Sequence, residues 1–363
     1  MSSHSEKNFM LRALALARKG LGTCSPNPAV GSIIVKDGKI VGRGFHKKAG
    51  ENHAEVNAIK DAGDLAKGAT LFVTLEPCSH TGKTPPCVEA ILEAGISKVF
   101  IAMLDPNPKV SGRGAEILKE NGLEVHLGLC QKEAEELNHR WLYAIKNERP
   151  HVTLKLALSL DGCIAGQEGK SEWLSSPASR ALVQRLRRDT DAILVGAGTL
   201  AVDNPKLTNR SGRGKQPLRI VVDSTLRSIT GAETFKDLEN APALIATTDQ
   251  ANAEAREAFQ SKGIEVLVLE QKNGWVSLDH LFKELYDRGI QSVLCEGGSH
   301  VASSLVKDSL ADRILLFHCP SVFGEEGIPW FTSFEPGQRL DLNYRPSFTQ
   351  SVSSDVITCW DKR

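Results

Sequence analysis

Apolar residues along the chain alternate between two spacings, and the switches between them mark out the elements. Residues 9–17 repeat at helical spacing with Arg12 inside the run, which predicts an amphipathic helix. The β-prone runs 30–35 and 39–44 flank Asp37-Gly38, a strong hairpin signal. Helical spacing returns over 53–65, where Val56, Ile59 and Ala62 share one face. A strand over 69–75 delivers Pro77-Cys78 at its carboxyl end. A helix opens at Cys87, and a strand over 98–104 runs into Asp105-Pro106-Asn107-Pro108. A further helix, strand and helix reach Asn147. A hairpin followed by alternating helices and strands predicts a mixed sheet sandwiched by helices, with ligand bound outside the strand ends.

Near 148–150 the pattern restarts, which places a domain boundary between 1–147 and 148–363. A strand over 151–159 leads into Leu160-Asp161-Gly162, and Pro177 opens a helix carrying Arg180, Arg185, Arg187 and Arg188. Strands recur at 192–195, 218–222, 243–246, 265–269 and 292–295. Glu296-Gly297-Gly298 then turns strand into helix (301–306), and strands at 313–317 and 356–360 finish a second three-layer α/β unit. The chain shows neither an internal repeat nor a low-complexity tail.

With 363 residues, 41% of them hydrophobic, the chain has enough apolar surface for two cores. Lysine plus arginine equals aspartate plus glutamate at 44 each, so no global field favours a nucleic-acid backbone or an anionic membrane. Any anion must be met locally. The eight cysteines lack regular spacing, which suits a reducing compartment better than a disulfide framework. The first apolar stretch does not read as a signal peptide and no run reaches membrane-spanning length, so the expected location is cytoplasmic.

The chemistry concentrates first at His53-Ala54-Glu55, Pro77-Cys78 and Pro86-Cys87. One imidazole and two thiolates, His53, Cys78 and Cys87, are the donor set of a catalytic zinc that keeps a fourth position open. Glu55 stands where a general base and acid would serve that position. H-x-E followed by P-C-x-x-C is the signature of zinc nucleobase deaminases. Here the first half matches, while the cysteines lie nine positions apart rather than three. A purely structural zinc, or plain core cysteines, is the competing reading, but it leaves Glu55 without a task.

A second concentration is basic. From Arg180 to Arg219 there are nine lysines or arginines against three aspartates, in a chain otherwise balanced. A solvated helix face plus a basic loop would account for this. A phosphate-bearing ligand would account for it as well, since arginine forks and exposed backbone N–H groups commonly hold one. The turns Gly196-Ala197-Gly198-Thr199 and Glu296-Gly297-Gly298-Ser299 fit a dinucleotide, yet neither is a G-x-G-x-x-G fingerprint and ordinary strand-to-helix turns explain them nearly as well.

The succession Pro26-Asn27-Pro28-Ala29-Val30-Gly31, His53-Ala54-Glu55, Glu76-Pro77-Cys78-Ser79-His80 through Thr84-Pro85-Pro86-Cys87, Asp105-Pro106-Asn107-Pro108, Ser159-Leu160-Asp161-Gly162 and Asp203-Asn204-Pro205 through Leu207-Thr208 resembles the bifunctional riboflavin-biosynthesis deaminase-reductases. The likeness covers nearly the whole chain and accounts for the cysteine gap. It implies an N-terminal cytidine-deaminase-like three-layer domain and a C-terminal dihydrofolate-reductase-like α/β domain. The implied reactions are zinc-dependent deamination of 2,5-diamino-6-(5-phosphoribosylamino)pyrimidin-4-one, then NADPH-dependent reduction of its ribosyl group to ribityl.

By the same resemblance, Asn27, His46, Lys83, Asp105 and Asn107 line the pyrimidine pocket. Ser171, Arg187, Leu207, Arg210 and Glu296 face the reductase substrate. Leu158, Trp173, Thr199, Asp203, Ser224 and the turn Gly298, Ser299, His300, Val301, Ala302, Ser303, Ser304 face the nucleotide. On its own Trp173 reads as a core aromatic and Asp161 as a turn residue. Two departures bear on cofactor contacts: Asn204 stands where the family often has aspartate, and Cys163 replaces a commonly basic or polar residue. A homo-oligomer, dimer or tetramer, is the expected assembly. Three other readings compete: a deaminase with a non-catalytic phosphate-ligand domain, a zinc-stabilised scaffold, and a nucleic-acid deaminase. The balanced charge argues against the last of these.

Overall fold

The computed structural model describes residues 3–80, 85–107, 111–166, 174–332 and 339–363. The chain divides into two compact units, Met1–Glu148 and Arg149–Arg363. Among the described residues, no helix is long and apolar enough to cross a membrane.

The first unit runs α1 (Ser3–Ala17), β1 (Gly31–Lys36), β2 (Lys39–Phe45), α2 (Ala54–Ala62), β3 (Thr70–Val73), α3 (Cys87–Glu93), β4 (Lys98–Ile101), α4 (Arg113–Glu120), β5 (Glu124–Leu127), α5 (Gln131–Leu137) and α6 (His139–Asn147). Its sheet order is β2-β1-β3-β4-β5. β1 pairs antiparallel with both β2 and β3, while β3, β4 and β5 are parallel. This is the mixed sheet that the hairpin and alternation imply. The hairpin turns at Asp37 and Gly38, both at positive φ (49° and 73°). Such a turn matches the right-handed twist of the flanking strands.

α1 and α2 lie on opposite faces of this sheet. A Cβ on Gly44 would come 2.1 Å from the Ala54 carbonyl oxygen, so β2 receives the first turn of α2 backbone to backbone. That approach fixes the end of α2 on which His53 and Glu55 sit. On the α1 face, Phe9, Phe72, Phe100 and His126 form a ladder with centroid separations of 5.5, 4.7 and 4.6 Å across neighbouring elements. Aromatic pairs of this kind add roughly 0.5–1.5 kcal/mol each beyond their buried area.

The second unit contains β6 (His151–Leu158), β7 (Cys163–Ala165), α7 (Pro177–Arg188), β8 (Ala192–Gly196), α8 (Ala197–Asp203), β9 (Leu218–Val222), β10 (Ala243–Thr247), α9 (Ala253–Gln260), β11 (Glu265–Val268), β12 (Gln271–Lys272), β13 (Trp275–Val276), α10 (Leu278–Asp287), β14 (Ser292–Cys295), α11 (Ser299–Lys307), β15 (Arg313–His318), β16 (Ile328–Pro329), β17 (Tyr344–Val352) and β18 (Asp355–Lys362). Nine strands form one sheet in the order β11-β10-β9-β8-β14-β6-β15-β18-β17. It is parallel from β11 to β15. β18 and β17 then close it antiparallel. The inner strands β8 and β10 are short, largely apolar runs, as burial on both faces of a parallel sheet demands. α7 begins at Pro177, with the Ser176 hydroxyl capping it by accepting from the Ser179 N–H at 3.3 Å.

Candidate active sites

In the first unit three elements converge on one point. His53 is the N-cap of α2, Cys87 opens α3 directly after Pro86, and Cys78 leaves β3 five residues past its last pair. The ligating atoms of His53, Cys78 and Cys87 all lie within 4.8 Å of one another. His53 Nδ1 stands 3.1 Å from Cys87 Sγ and 3.5 Å from Cys78 Sγ, and the Cys87 N–H donates to Cys78 Sγ at 3.3 Å. The hydrogen bond with the Cys87 thiol, helped by His53, pulls the Cys78 thiol down to about 4. That same bond, together with burial, pushes Cys87 up. Two sulfurs and an imidazole within ligating distance of one another are a donor set suited to a borderline-soft divalent ion, and the residues fit zinc.

Glu55 lies in the first turn of α2, 3% exposed. Burial holds its carboxyl up at about 7, where a group both takes and gives a proton near neutrality. Around it, His46 is buried, with Nε2 3.0 Å from Asn27 Nδ2 and Nδ1 3.2 Å from the Asn52 carbonyl. The His46 and His53 rings meet edge-on at 5.2 Å. The strand entry two residues after Asn27 is tied down by a residue that sequence reasoning passed over. Asn138, between α5 and α6, accepts from the Ala29 N–H (2.8 Å) and donates to the Ala29 carbonyl (3.0 Å). Asp105 and Asn107 follow β4, and the Asn107 N–H donates to Asp105 Oδ1 at 2.9 Å. Lys83 lies outside the described residues.

In the second unit a cleft of about 2160 Å³ runs across the carboxyl ends of β6, β14, β8 and β9, toward the loop after β10. At the β6 end, Arg187 and Glu296 form a bidentate pair (2.7 and 3.0 Å), and Arg187 also donates to the Thr208 carbonyl at 3.2 Å. Arg210 and Leu207 line the same end. Leu207 holds a positive φ of 53° while buried, which turns the 204–210 segment back over α7.

Lys155 on β6 was not singled out from sequence, where it reads as one more polar step after His151 and Thr153. Its ammonium lines the cleft 5.0 Å from the centroid of the Phe317 ring. Burial holds it below the usual lysine value, against the opposing pull of Glu296.

Thr199, Asp203, Ser224, Gly298, Ser299, His300, Val301, Ser303 and Ser304 all line the cleft. Thr199 Oγ1 accepts from the Gly298 N–H at 2.9 Å and so ties the two glycine turns together. The Ser224 hydroxyl accepts from Val276 N–H at 3.0 Å, and Trp275 and Arg227 extend the wall beyond it. Convergent turns at the ends of adjacent parallel strands are where such sheets bind nucleotides, and this cleft fits NADPH.

Two members of the sequence-derived set do not line the cleft. Leu158 and Ala302 belong to the apolar core beneath it. Ala302 sits one turn into α11 on the face that packs with Leu305 and Val306, and a contiguous run from 298 to 304 necessarily includes such an inward position. Ser171 and Trp173 lie outside the described residues. The two departures from the family pattern also stand clear of the cleft. Asn204 caps α8 in the left-handed region and accepts from Glu233 N–H at 2.8 Å, and Cys163 is buried on β7.

Residues 3–103 match the cytidine and deoxycytidylate deaminase zinc-binding region, and residues 150–358 match the RibD C-terminal domain. The riboflavin biosynthesis protein RibD of Aquifex aeolicus is 45% identical over 321 residues, covering 88% of each chain. That of Escherichia coli is 39% identical, covering 88% of this chain and 89% of the other. Among solved structures, Acinetobacter baumannii RibD superposes with a TM-score of 0.89 at 33% identity, covering 99% of both chains. A Thermotoga maritima protein titled diaminohydroxyphosphoribosylaminopyrimidine deaminase/5-amino-6-(5-phosphoribosylamino)uracil reductase gives 0.88 at 36% identity, again over 99% of both. A His53–Cys78–Cys87 cluster that fits zinc and a cleft that fits a dinucleotide thus accompany these matches over both units, and the chain belongs to the RibD family of bifunctional riboflavin-biosynthesis deaminase-reductases.

Proposed function

We propose that the unit up to residue 147 deaminates 2,5-diamino-6-(5-phosphoribosylamino)pyrimidin-4-one, and that the unit from 148 reduces the ribosyl group of the product to ribityl. The observation that carries the reading is the buried Glu55 carboxyl beside a His53–Cys78–Cys87 cluster whose donor atoms lie within 4.8 Å. Zinc supplies Lewis acidity that makes water a nucleophile near neutral pH, and NADPH supplies a hydride.

In the deamination, Glu55 takes a proton from water as oxygen bonds to the pyrimidine carbon and returns it to the departing nitrogen, which leaves as ammonia. Asn27, His46, Asp105 and Asn107 orient the ring. Their mix of amide, imidazole and carboxylate groups meets both donors and acceptors on the pyrimidine edge. Lys83 is assigned to the same pocket on the family resemblance alone.

In the reduction, Arg210 and Arg187 hold the phosphorylated sugar, while Glu296 fixes the Arg187 fork and shares its charge with Lys155. Lys155, a cation with a lowered affinity for its proton, is placed to give that proton to the substrate as the ribosyl carbon is reduced. Thr199, Asp203, Ser224 and the turn from Gly298 to Ser304 hold the nucleotide, with Leu158 and Ala302 supporting it from beneath and Ser171 and Trp173 assigned on resemblance.

We further place the chain in a reducing, cytoplasmic setting, in keeping with eight cysteines of which none is in a disulfide and two are assigned to zinc. The homo-oligomer is assigned to the edge strand β17 and the exposed Val356 and Trp360 on one face of the neighbouring β18. Sedimentation of a Trp360→Glu variant as monomer, against an oligomeric parent, tests that assignment.

The two activities are tested by supplying the diaminopyrimidine phosphate with and without NADPH while following ammonia and the near-ultraviolet absorbance of NADPH together. Ammonia release in both arms, with loss of absorbance when NADPH is present, is the expected result. Ammonia with no NADPH oxidation would mean that the second unit is a non-catalytic phosphate-ligand domain.

A further inference from the structure

Glu76 stands two residues before Cys78 and is 5% exposed. Its carboxylate accepts four backbone hydrogen bonds. Oε2 receives the N–H of Asp105 (3.1 Å) and of Gly112 (2.9 Å), and Oε1 receives those of Gly114 (2.8 Å) and Ala115 (3.2 Å). The Glu76 N–H in turn donates to the Met103 carbonyl at 3.0 Å. α4 has no side-chain cap at its own N-cap residue, Gly112, so the Glu76 carboxylate takes that role, at the positive end of the helix. The fit is close: a Cβ on Gly114 would lie 2.1 Å from the Pro77 carbonyl oxygen. One carboxylate therefore joins the segment that carries Cys78 to the segment that carries Asp105 and Asn107.

We propose that Glu76 is a positioning residue of the deaminase, which sets the 105–107 wall against the metal cluster and thereby fixes where the pyrimidine lies over Glu55. The proposal rests on the reading above that Asp105 and Asn107 line the pyrimidine pocket. Only an ionised carboxylate offers two oxygens with enough lone pairs for all four donors. A glutamine would turn its own NH₂ toward two of them.

The test uses the full-length, zinc-loaded chain with Glu76→Gln, Asp105→Ala and both together. Glu76→Gln retains zinc and the reductase rate and raises the deaminase KM by about tenfold, more than it lowers kcat, as expected for loss of charge-assisted bonds at the pocket wall. Asp105→Ala raises KM similarly, and the double variant is little worse than the poorer single one, because both act through one contact. Hydrogen exchange at the amides of Asp105, Gly112, Gly114 and Ala115 quickens in Glu76→Gln while the amides of β8 are unchanged. Glu76→Asp, with the charge kept and the reach shortened, falls between parent and Glu76→Gln.

An unchanged KM in Glu76→Gln where Asp105→Ala raises it overturns the proposal alone. A silent Asp105→Ala overturns the pocket reading and the proposal with it. Additive effects, or loss of zinc from Glu76→Gln, place the residue in the scaffold of the metal site instead.

Discussion

Arg187 and Glu296 meet through two N–H···O contacts of 2.7 and 3.0 Å, each side chain about one-tenth exposed, at the end of the cleft where the reductase substrate is assigned. Burial alone would raise the Glu296 carboxyl, but Arg187 first, then Lys155 and Arg210, hold it below the ordinary carboxylate value. Taking one partner away leaves the other charged and buried.

Glu296→Gln is therefore expected to destabilise the second unit by about 3–5 kcal/mol, the usual cost of breaking a buried pair. The sign of the pH effect follows from the lowered value. The stabilisation is complete above the unfolded carboxylate pKa of about 4.3 and disappears as pH falls through the lower folded value. Thermal melts from pH 7 to pH 3 should show the parent losing stability below about pH 4, with the variant flatter over the same range. Parallel curves would remove the pair from the acid response.

Cys78→Ala and Cys87→Ala each remove a ligand from a three-donor site, so both should lose the metal and ammonia release. NADPH-dependent reduction of the deaminated intermediate belongs to the other compact unit and should remain. Metal content and the two rates, measured on one preparation, check this. Retained ammonia release in either variant would contradict the ligand assignment.

Arg210→Ala should weaken the phosphorylated reductase substrate by about tenfold or more, while its dephosphorylated analogue changes little, since an arginine fork earns its affinity from the phosphate. Equal losses for both would remove the phosphate role; the segment itself stays anchored in the variant, because it is the Arg210 backbone N–H that donates to the Gln184 side chain at 2.8 Å.

Most of the architecture is legible in the chain because its strands are short, apolar and bounded by strong turn signals, with β9 and β14 found at their exact limits. β17 is not legible. It is polar, almost wholly exposed and interrupted by Pro346, and exists because β18 supplies its hydrogen bonds. The single helix read before Asn147 is two, α5 and α6, separated at Asn138, whose side chain is committed to Ala29 and not to the helix. The clustering of His53, Cys78 and Cys87 beside Glu55 is legible because side-chain type and spacing already single these residues out. Glu76 and Asn138 are not, because their partners are backbone groups 29 to 39 and 109 residues away. Lys155 escapes notice for a related reason: only the folded sheet shows which of the alternating polar positions of β6 interacts with Glu296.

The most direct measurement of the central claim is Glu55→Gln in the full-length, zinc-loaded chain. Zinc content and NADPH oxidation with the deaminated intermediate should match the parent, while ammonia release from the diaminopyrimidine phosphate falls by about a hundredfold or more. Ammonia release within a few-fold of the parent, with zinc retained, would contradict the assignment of the proton-carrying role to this carboxyl.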